Sequence, residues 1–165
     1  MRKKGERMRP ITASDLMNPR VLTVSRDLRV SELANFLVAH DISGAPVVDG
    51  SGKLVGVVSL NDIAEVLVED EDEEGERGTD FFASEWDAGL SREEIQELPA
   101  DAGELTVDDI MTPGVFTVGE ETTVSEIAGM MIASHVHRLL VTREDRVVGI
   151  ISTSDLLGLL VEEKE

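Results

Sequence analysis

Two carboxylates stand three residues after a serine, Asp62 after Ser59 and Asp155 after Ser152, each where an apolar, β-branched run gives way to a helical pattern. Ser-x-x-Asp at a helix start is a capping arrangement: hydroxyl and carboxylate accept backbone N–H groups that the helix leaves unpaired. The same geometry sets donors and a carboxylate at a helix mouth, a combination suited to a ribose diol. The two uses are compatible. A second set is His137-Arg138, directly before the apolar run Leu139-Leu-Val141. Arginine offers a planar fork of donors that matches phosphate oxygens, and a salt bridge to a neighbouring acid is the competing use. Other chemistries find no support. The chain has no cysteine, so a thiol nucleophile, a thiolate metal site and a disulfide framework are all excluded. His40, His135 and His137 form no metal-ligand pattern, and Gly50-Ser-Gly52 is a turn rather than a phosphate-cradling loop. No nucleophile and base pair stands out, and a non-catalytic protein is expected.

These residues are positioned by a duplication. Asp15-Leu-Met-Asn-Pro-Arg-Val-Leu-Thr-Val24 returns as Asp109-Ile-Met-Thr-Pro-Gly-Val-Phe-Thr-Val118, and Gly56-Val-Val-Ser-Leu-Asn-Asp-Ile63 as Gly149-Ile-Ile-Ser-Thr-Ser-Asp-Leu156. The first match runs at an offset of 94 and the second at 93, so one residue is lost between Asp49-Gly-Ser-Gly52 and Arg143-Glu-Asp145. A polar turn tolerates that loss because both flanking strands keep their register. Each copy opens with a short turn stopped by Pro19 or Pro113. The runs Val21–Val24 and Val115–Val118 predict a strand. Val30, Leu33, Ala34 and Leu37 have helical spacing, answered by Val124, Ile127, Ala128 and Met131. Two strands follow, Ala45–Val48 and Leu54–Val58 in the first copy, and a helix closes each unit, about Asn61–Leu67 and Ser154–Val161. The order per copy is β-α-β-β-α, an α/β (α+β) fold.

The expected organisation is a basic tail over 1–12, repeats over 13–67 and 107–161, a linker over 68–106 and a tail over 162–165. At 165 residues and 41% hydrophobic content the chain can bury a real core. Its net charge of -19 is uneven: residues 69–104 hold 15 acids against two arginines. Such a charge disfavours duplex nucleic acid, and no apolar stretch approaches membrane-spanning length or a signal peptide. A cytoplasmic protein is expected. The linker begins with seven acids in the eight residues 69–76, which should be extended and solvated. It then carries Phe81, Phe82 and Trp86 before a capped helix that opens at Ser91 and ends before Pro99. The aromatics either pack onto the repeats or dock a partner protein.

Met-x-Pro, Thr-Val and Gly-h-h-Ser-x-x-Asp (h apolar) in order in both copies, with His137-Arg-Leu139 before the last of these in the second, make each copy resemble a CBS motif. The pair resembles a Bateman module, as in stand-alone prokaryotic CBS-pair regulators and the gamma subunit of AMP-activated protein kinase. The resemblance implies two repeats packed by their sheets about a pseudo-two-fold axis, with two clefts between them. It implies ribose binding by Asp62 and Asp155, with Ser59 and Ser152 beside phosphate or ribose and His137-Arg138 on phosphate. Thr23 and Thr117 are similar to residues that meet the adenine edge, and Ile42, Ser43, Gly44 and Val136 correspond to cleft wall. Because the first copy has Ser43-Gly44 where the second has His137-Arg138, the two sites should differ. One suits AMP, ADP or ATP, and the other is weaker or suits a less charged ligand such as S-adenosylmethionine. The implied function is that of a regulatory adenosyl-ligand sensor, with no required cofactor, forming a disc-like homodimer and signalling to an unidentified regulated protein. The alternative is an interaction scaffold with vestigial clefts that acts through the acidic-aromatic linker.

Overall fold

A computed structural model describes residues 9–67, 104–113 and 115–162. The linker's acidic run, its aromatics and its expected helix lie outside the described residues. In the first repeat the elements are α1 (Ala13–Leu16), β1 (Val24–Ser25), α2 (Val30–Ala39), β2 (Gly44–Val48), β3 (Leu54–Ser59) and α3 (Leu60–Leu67). In the second they are α4 (Val107–Ile110), β4 (Thr117–Gly119), α5 (Val124–Ser134), β5 (Arg138–Arg143), β6 (Arg146–Ser152) and α6 (Thr153–Glu162). Each repeat forms a mixed three-stranded sheet, β1-β2-β3 or β4-β5-β6, its first pair parallel and its second antiparallel.

Local chemistry accounts for these elements. Val30, Leu33, Ala34 and Leu37 are fully buried along α2, at the spacing of one helical face. The Thr123 hydroxyl accepts from the Glu126 backbone at 3.3 Å while the Glu126 carboxylate accepts the Thr123 N–H at 2.9 Å, a reciprocal cap at the start of α5. The one-residue loss falls inside the hairpin turn. In the second repeat Arg143 pairs with Arg146 across two residues, Glu144 and Asp145, with φ of 50° and 62°. Two consecutive left-handed residues make the tight hairpin turn whose twist matches that of its strands. The longer turn of the first repeat is held by Asp49, whose carboxylate accepts the Ser51 and Lys53 N–H groups at 2.8 and 3.1 Å.

The repeats exchange their leading segments. Ala13 is buried in the core of the second repeat and Val107 in that of the first, both with no exposed surface. Backbone bonds fix the exchange: Ala13 N–H donates to Thr122 O at 2.8 Å and Val124 N–H to Ile11 O at 2.9 Å. Reciprocally, Val107 N–H donates to Leu28 O at 2.8 Å and Val30 N–H to Leu105 O at 2.9 Å. Fully burying Val107 stabilises by about 1.5–3 kcal/mol, so the second repeat's leading segment anchors itself in the first core, while Ala13 fits its smaller side chain into the second.

This crossing shortens the first strand of each copy. Residues 21–23 and 115–116 do not join a strand, and pairing begins at Val24 with Val47 and at Thr117 with Leu140. The preceding residues are spent travelling from one sheet to the other: Asn18 bridges to Ile150 in the second sheet, six residues before Val24 joins the first.

Candidate functional site

The crossing places each Met-x-Pro segment on the glycine of the other copy's Gly-h-h-Ser-x-x-Asp motif. Asn18 N–H donates to Ile150 O at 2.8 Å and Ile150 N–H returns to Asn18 O at 3.0 Å. The pseudo-symmetric pair, Val57 and Thr112, exchanges two bonds of 2.9 Å. A Cβ at Gly56 would lie 2.6 Å from the Thr112 carbonyl oxygen, and one at Gly149 would lie 2.7 Å from Met17 Cγ. Only glycine admits so close an approach of backbone and neighbour. The middle residue of each Met-x-Pro is thereby brought beside the Ser-x-x-Asp of the other repeat.

Asp155 borders a cavity of about 380 Å³ together with Ser152, Ser154, His137, Arg138, Ile150 and, from the first repeat, Asn18. The capping arrangement is formed: Asp155 Oδ2 accepts the Ser152 N–H at 2.7 Å and the Ser152 hydroxyl at 3.1 Å, and the Asp155 N–H lies 3.4 Å from Ser152 Oγ. Both side-chain contacts fall on Oδ2. Oδ1 accepts nothing among the described residues and remains an acceptor for an outside donor. His137 is held beside it because its carbonyl accepts from the Thr153 N–H at 2.9 Å and the Thr153 hydroxyl at 3.1 Å, tying the end of the α5–β5 connection to the start of α6.

A second chamber of about 380 Å³ adjoins the first, sharing Asn18, Arg138 and Ile150. Ile42, Ser43, Gly44 and Pro46 form one wall, and Arg20, Val21 and Leu22 another. The Ser43 carbonyl accepts from the Leu60 N–H at 2.9 Å, the counterpart of the His137 anchor. The two pre-strand pairs, Ser43-Gly44 and His137-Arg138, therefore serve adjoining chambers of one cleft.

On the opposite side, Asp62 borders a cavity of about 420 Å³ with Glu65, Val66 and residues 109–113. Its cap repeats that of Asp155, with Oδ2 accepting from Ser59 N–H at 2.7 Å and Ser59 Oγ at 3.2 Å. Ser59 is buried beneath it. The described linings differ in charge: Asp62, Glu65 and Asp109 border this cavity with no basic residue among the described ones, whereas Arg20, His137 and Arg138 border the other cleft. Among the described residues no cluster of His, Asp and Glu has the arrangement of a metal site.

The remaining expected residues lie elsewhere. Thr23 is exposed and Thr117 half-buried, and neither borders these three cavities. Val136 is buried in the second repeat's core. The positions that do border them are Asn18 and Thr112, the variable residue of each Met-x-Pro, and Arg20. Their signal was the flanking Met and Pro, which recur because they fix the crossing; the residue between differs from copy to copy. The crossing segment also holds the most displaced carboxyl group among the described residues. Hydrogen bonds from the Arg9 guanidinium and the Thr12 N–H lower Asp15 to about 2.

The CBS domain family profile matches residues 13–69 and 107–162, and the chain belongs to the CBS domain family. It is 28% identical over 144 residues to an uncharacterized protein of Methanocaldococcus jannaschii, covering 85% of this chain and 86% of that one. Longer relatives share the module alone: the chain spans 23% of the inosine-5'-monophosphate dehydrogenase of that organism, at 30% identity over 146 residues. Its fold is similar to that of CBSX2 in complex with AMP, with a TM-score of 0.66 and 23% identity over 94% of this chain and 99% of that one. It is also similar to the CBS domain pair of protein MJ0100 in complex with 5-methylthioadenosine and S-adenosyl-L-methionine, with a TM-score of 0.63 and 24% identity over 94% and 99%. No helix among the described residues is long and apolar enough to cross a membrane.

Proposed function

We propose that this chain is a non-catalytic regulatory module that binds an adenine nucleotide in the cleft bordered by Asp155 and Arg138. The observation that carries this reading is the cavity that joins an Asp155 carboxylate with an open Oδ1 to His137 and Arg138, closed from the other repeat by Asn18. A ribose diol donates to the Asp155 carboxylate, phosphate oxygens accept from Arg138 and His137, and the base lies against Ile42 and Leu22 in the adjoining chamber. The cavity at Asp62, whose described lining carries Asp62, Glu65 and Asp109 where the other cleft has Arg138, suits a less charged adenosyl compound such as S-adenosylmethionine.

Regulation follows by linkage. The cleft is walled by both repeats, so a ligand that touches both favours one arrangement of them, and a partner that prefers that arrangement binds more tightly. A homodimer fits the same reading. Ile132 on α5 and Leu157, Leu160 and Val161 on α6 are 57–76% exposed and form an apolar surface for a second copy. The scaffold alternative rests on linker residues outside the described structure.

Thermal denaturation with AMP, ADP, ATP and S-adenosylmethionine tests the reading. At 100 times the dissociation constant a ligand stabilises by about 2.7 kcal/mol, which raises Tm by roughly 5–11 °C at 2–4 °C per kcal/mol for a domain of this size. No shift with any of the four would overturn it.

A further inference from the structure

We infer that Arg20 and Asp41 read the base edge and set the cleft's preference for adenine over the 6-oxopurines. The inference rests on the nucleotide reading above and adds a specificity that the ribose and phosphate contacts cannot supply. Both side chains border the chamber that adjoins the Asp155 cavity, and they reach it from different segments: Arg20 follows Pro19 and Asp41 ends the turn after α2. The rest of the chamber includes the apolar Val21, Leu22, Ile42 and Pro46. Apolar walls with a few placed polar groups are the usual composition of a small-molecule site.

The two polar groups have opposite hydrogen-bonding character. Arg20 has only donors and ionised Asp41 only acceptors. Adenine presents a complementary edge, with N7 as an acceptor beside the N6 amino group as a donor, whereas guanine and hypoxanthine present N7 and O6, both acceptors. A carboxylate facing O6 finds no donor and repels it. Adenine is thus the purine whose adjacent groups satisfy both side chains.

Among the described residues neither forms an ion pair with the other or with a third residue, although the sequence carries 34 acids against 15 Lys and Arg. The backbone positions are nevertheless fixed. The Arg20 N–H donates to Asn18 Oδ1 at 3.0 Å, while Asn18 is itself clamped to Ile150. Asp41 takes φ of 53°, and its N–H donates to Val38 O at 3.2 Å. The second copy has Gly114 in place of Arg20 and Val136 follows His135 in place of Asp41-Ile42, so the pair is not duplicated.

The test compares AMP with IMP, which differ at the C6 substituent and the N1 proton, by calorimetric titration of the full chain. Wild type should bind AMP at least about tenfold more tightly than IMP, the weight of one charge-assisted hydrogen bond. Asp41→Asn, whose amide can present a donor to O6, should bring the two affinities within about threefold. Arg20→Ala should weaken both ligands. Equal affinities in wild type, or an AMP to IMP ratio that Asp41→Asn leaves unchanged, would overturn the inference while leaving the nucleotide reading intact. Failure of AMP to bind wild type at all overturns the nucleotide reading, and the inference with it. Circular dichroism of each variant confirms that the fold is retained.

Discussion

Gly149→Ala tests the crossing on which the cleft depends. The added methyl group would lie 2.7 Å from Met17 Cγ and 2.9 Å from Met17 Cβ. The Cγ contact is relieved if the Met17 side chain swings away, but the Cβ contact yields only if the backbone moves. That backbone is bonded on both sides, through Met17 N–H to Ala13 O at 2.8 Å and through the Asn18–Ile150 pair. Overpacking of this kind costs about 1–3 kcal/mol, which at 2–4 °C per kcal/mol lowers Tm by roughly 2–12 °C. Gly158→Ala is the internal control. It lies within α6 with nothing within 4 Å of the new methyl group, and a helical glycine replaced by alanine gains about 0.5–1 kcal/mol. The two alanine substitutions should therefore move stability in opposite directions. Adding Met17→Ala to Gly149→Ala removes Cγ and the sulfur but not Cβ, so the double variant should recover part of the loss relative to Met17→Ala alone. Urea denaturation of the four proteins gives the coupling directly. A Gly149→Ala protein as stable as Gly158→Ala, with no coupling to Met17, would refute the account of how the copies interlock.

Three further outcomes follow from the same structure. Because the folded-state pKa of Asp15 lies near 2 and its unfolded value near 3.8, its contribution to stability is fully present above about pH 4 and is lost as pH falls toward 2. Asp15→Asn should accordingly flatten the pH dependence of the urea midpoint between pH 4 and 2, relative to wild type, and a parallel pair of curves would count against the Arg9 contact. Leu160→Glu places a charge on the apolar face of α6, and sedimentation should show a wild-type dimer turned into a monomer with unchanged circular dichroism; a monomeric wild type would remove that interface. Ser152→Ala deletes the capping hydroxyl at the start of α6 and should lower stability by about 0.5–2 kcal/mol in thermal denaturation, whereas no loss would show that the carboxylate caps the helix alone.

The duplication, the strand and helix order and the two Ser-x-x-Asp caps were legible because each depends on neighbours within a few residues: periodicity for α2, a hydroxyl and a carboxylate three apart for the caps, an Asp-Gly turn where the copies differ in length. The exchange of leading segments was not legible. Ala13 and Val107 read as ordinary apolar residues of their own copies, and nothing in local spacing says that each is buried in the other core. Thr23 and Thr117 enter as adenine-edge residues through the family resemblance, not through local spacing. The backbone bridges from Asn18 to Ile150 and from Thr112 to Val57 add the residue between Met and Pro to the cleft borders. The asymmetry between copies was legible in His137-Arg138 against Ser43-Gly44. Its full extent came from geometry, which gathers Arg20 and Arg138 on one cleft and leaves Asp62, Glu65 and Asp109 on the other.

Calorimetric titration of AMP into wild type, Asp155→Asn and Asp62→Asn separates the two clefts. Asparagine at either position can still accept the serine N–H that the carboxylate accepts at 2.7 Å, so the caps persist while the charge facing the ribose is removed. Wild type should bind one AMP per chain, weakened about ten- to a hundredfold by Asp155→Asn, as expected for losing a hydrogen bond to a charged group, and little changed by Asp62→Asn. Two equivalent sites, or a loss caused by Asp62→Asn and not by Asp155→Asn, would contradict the placing of AMP in the Asp155 cleft alone.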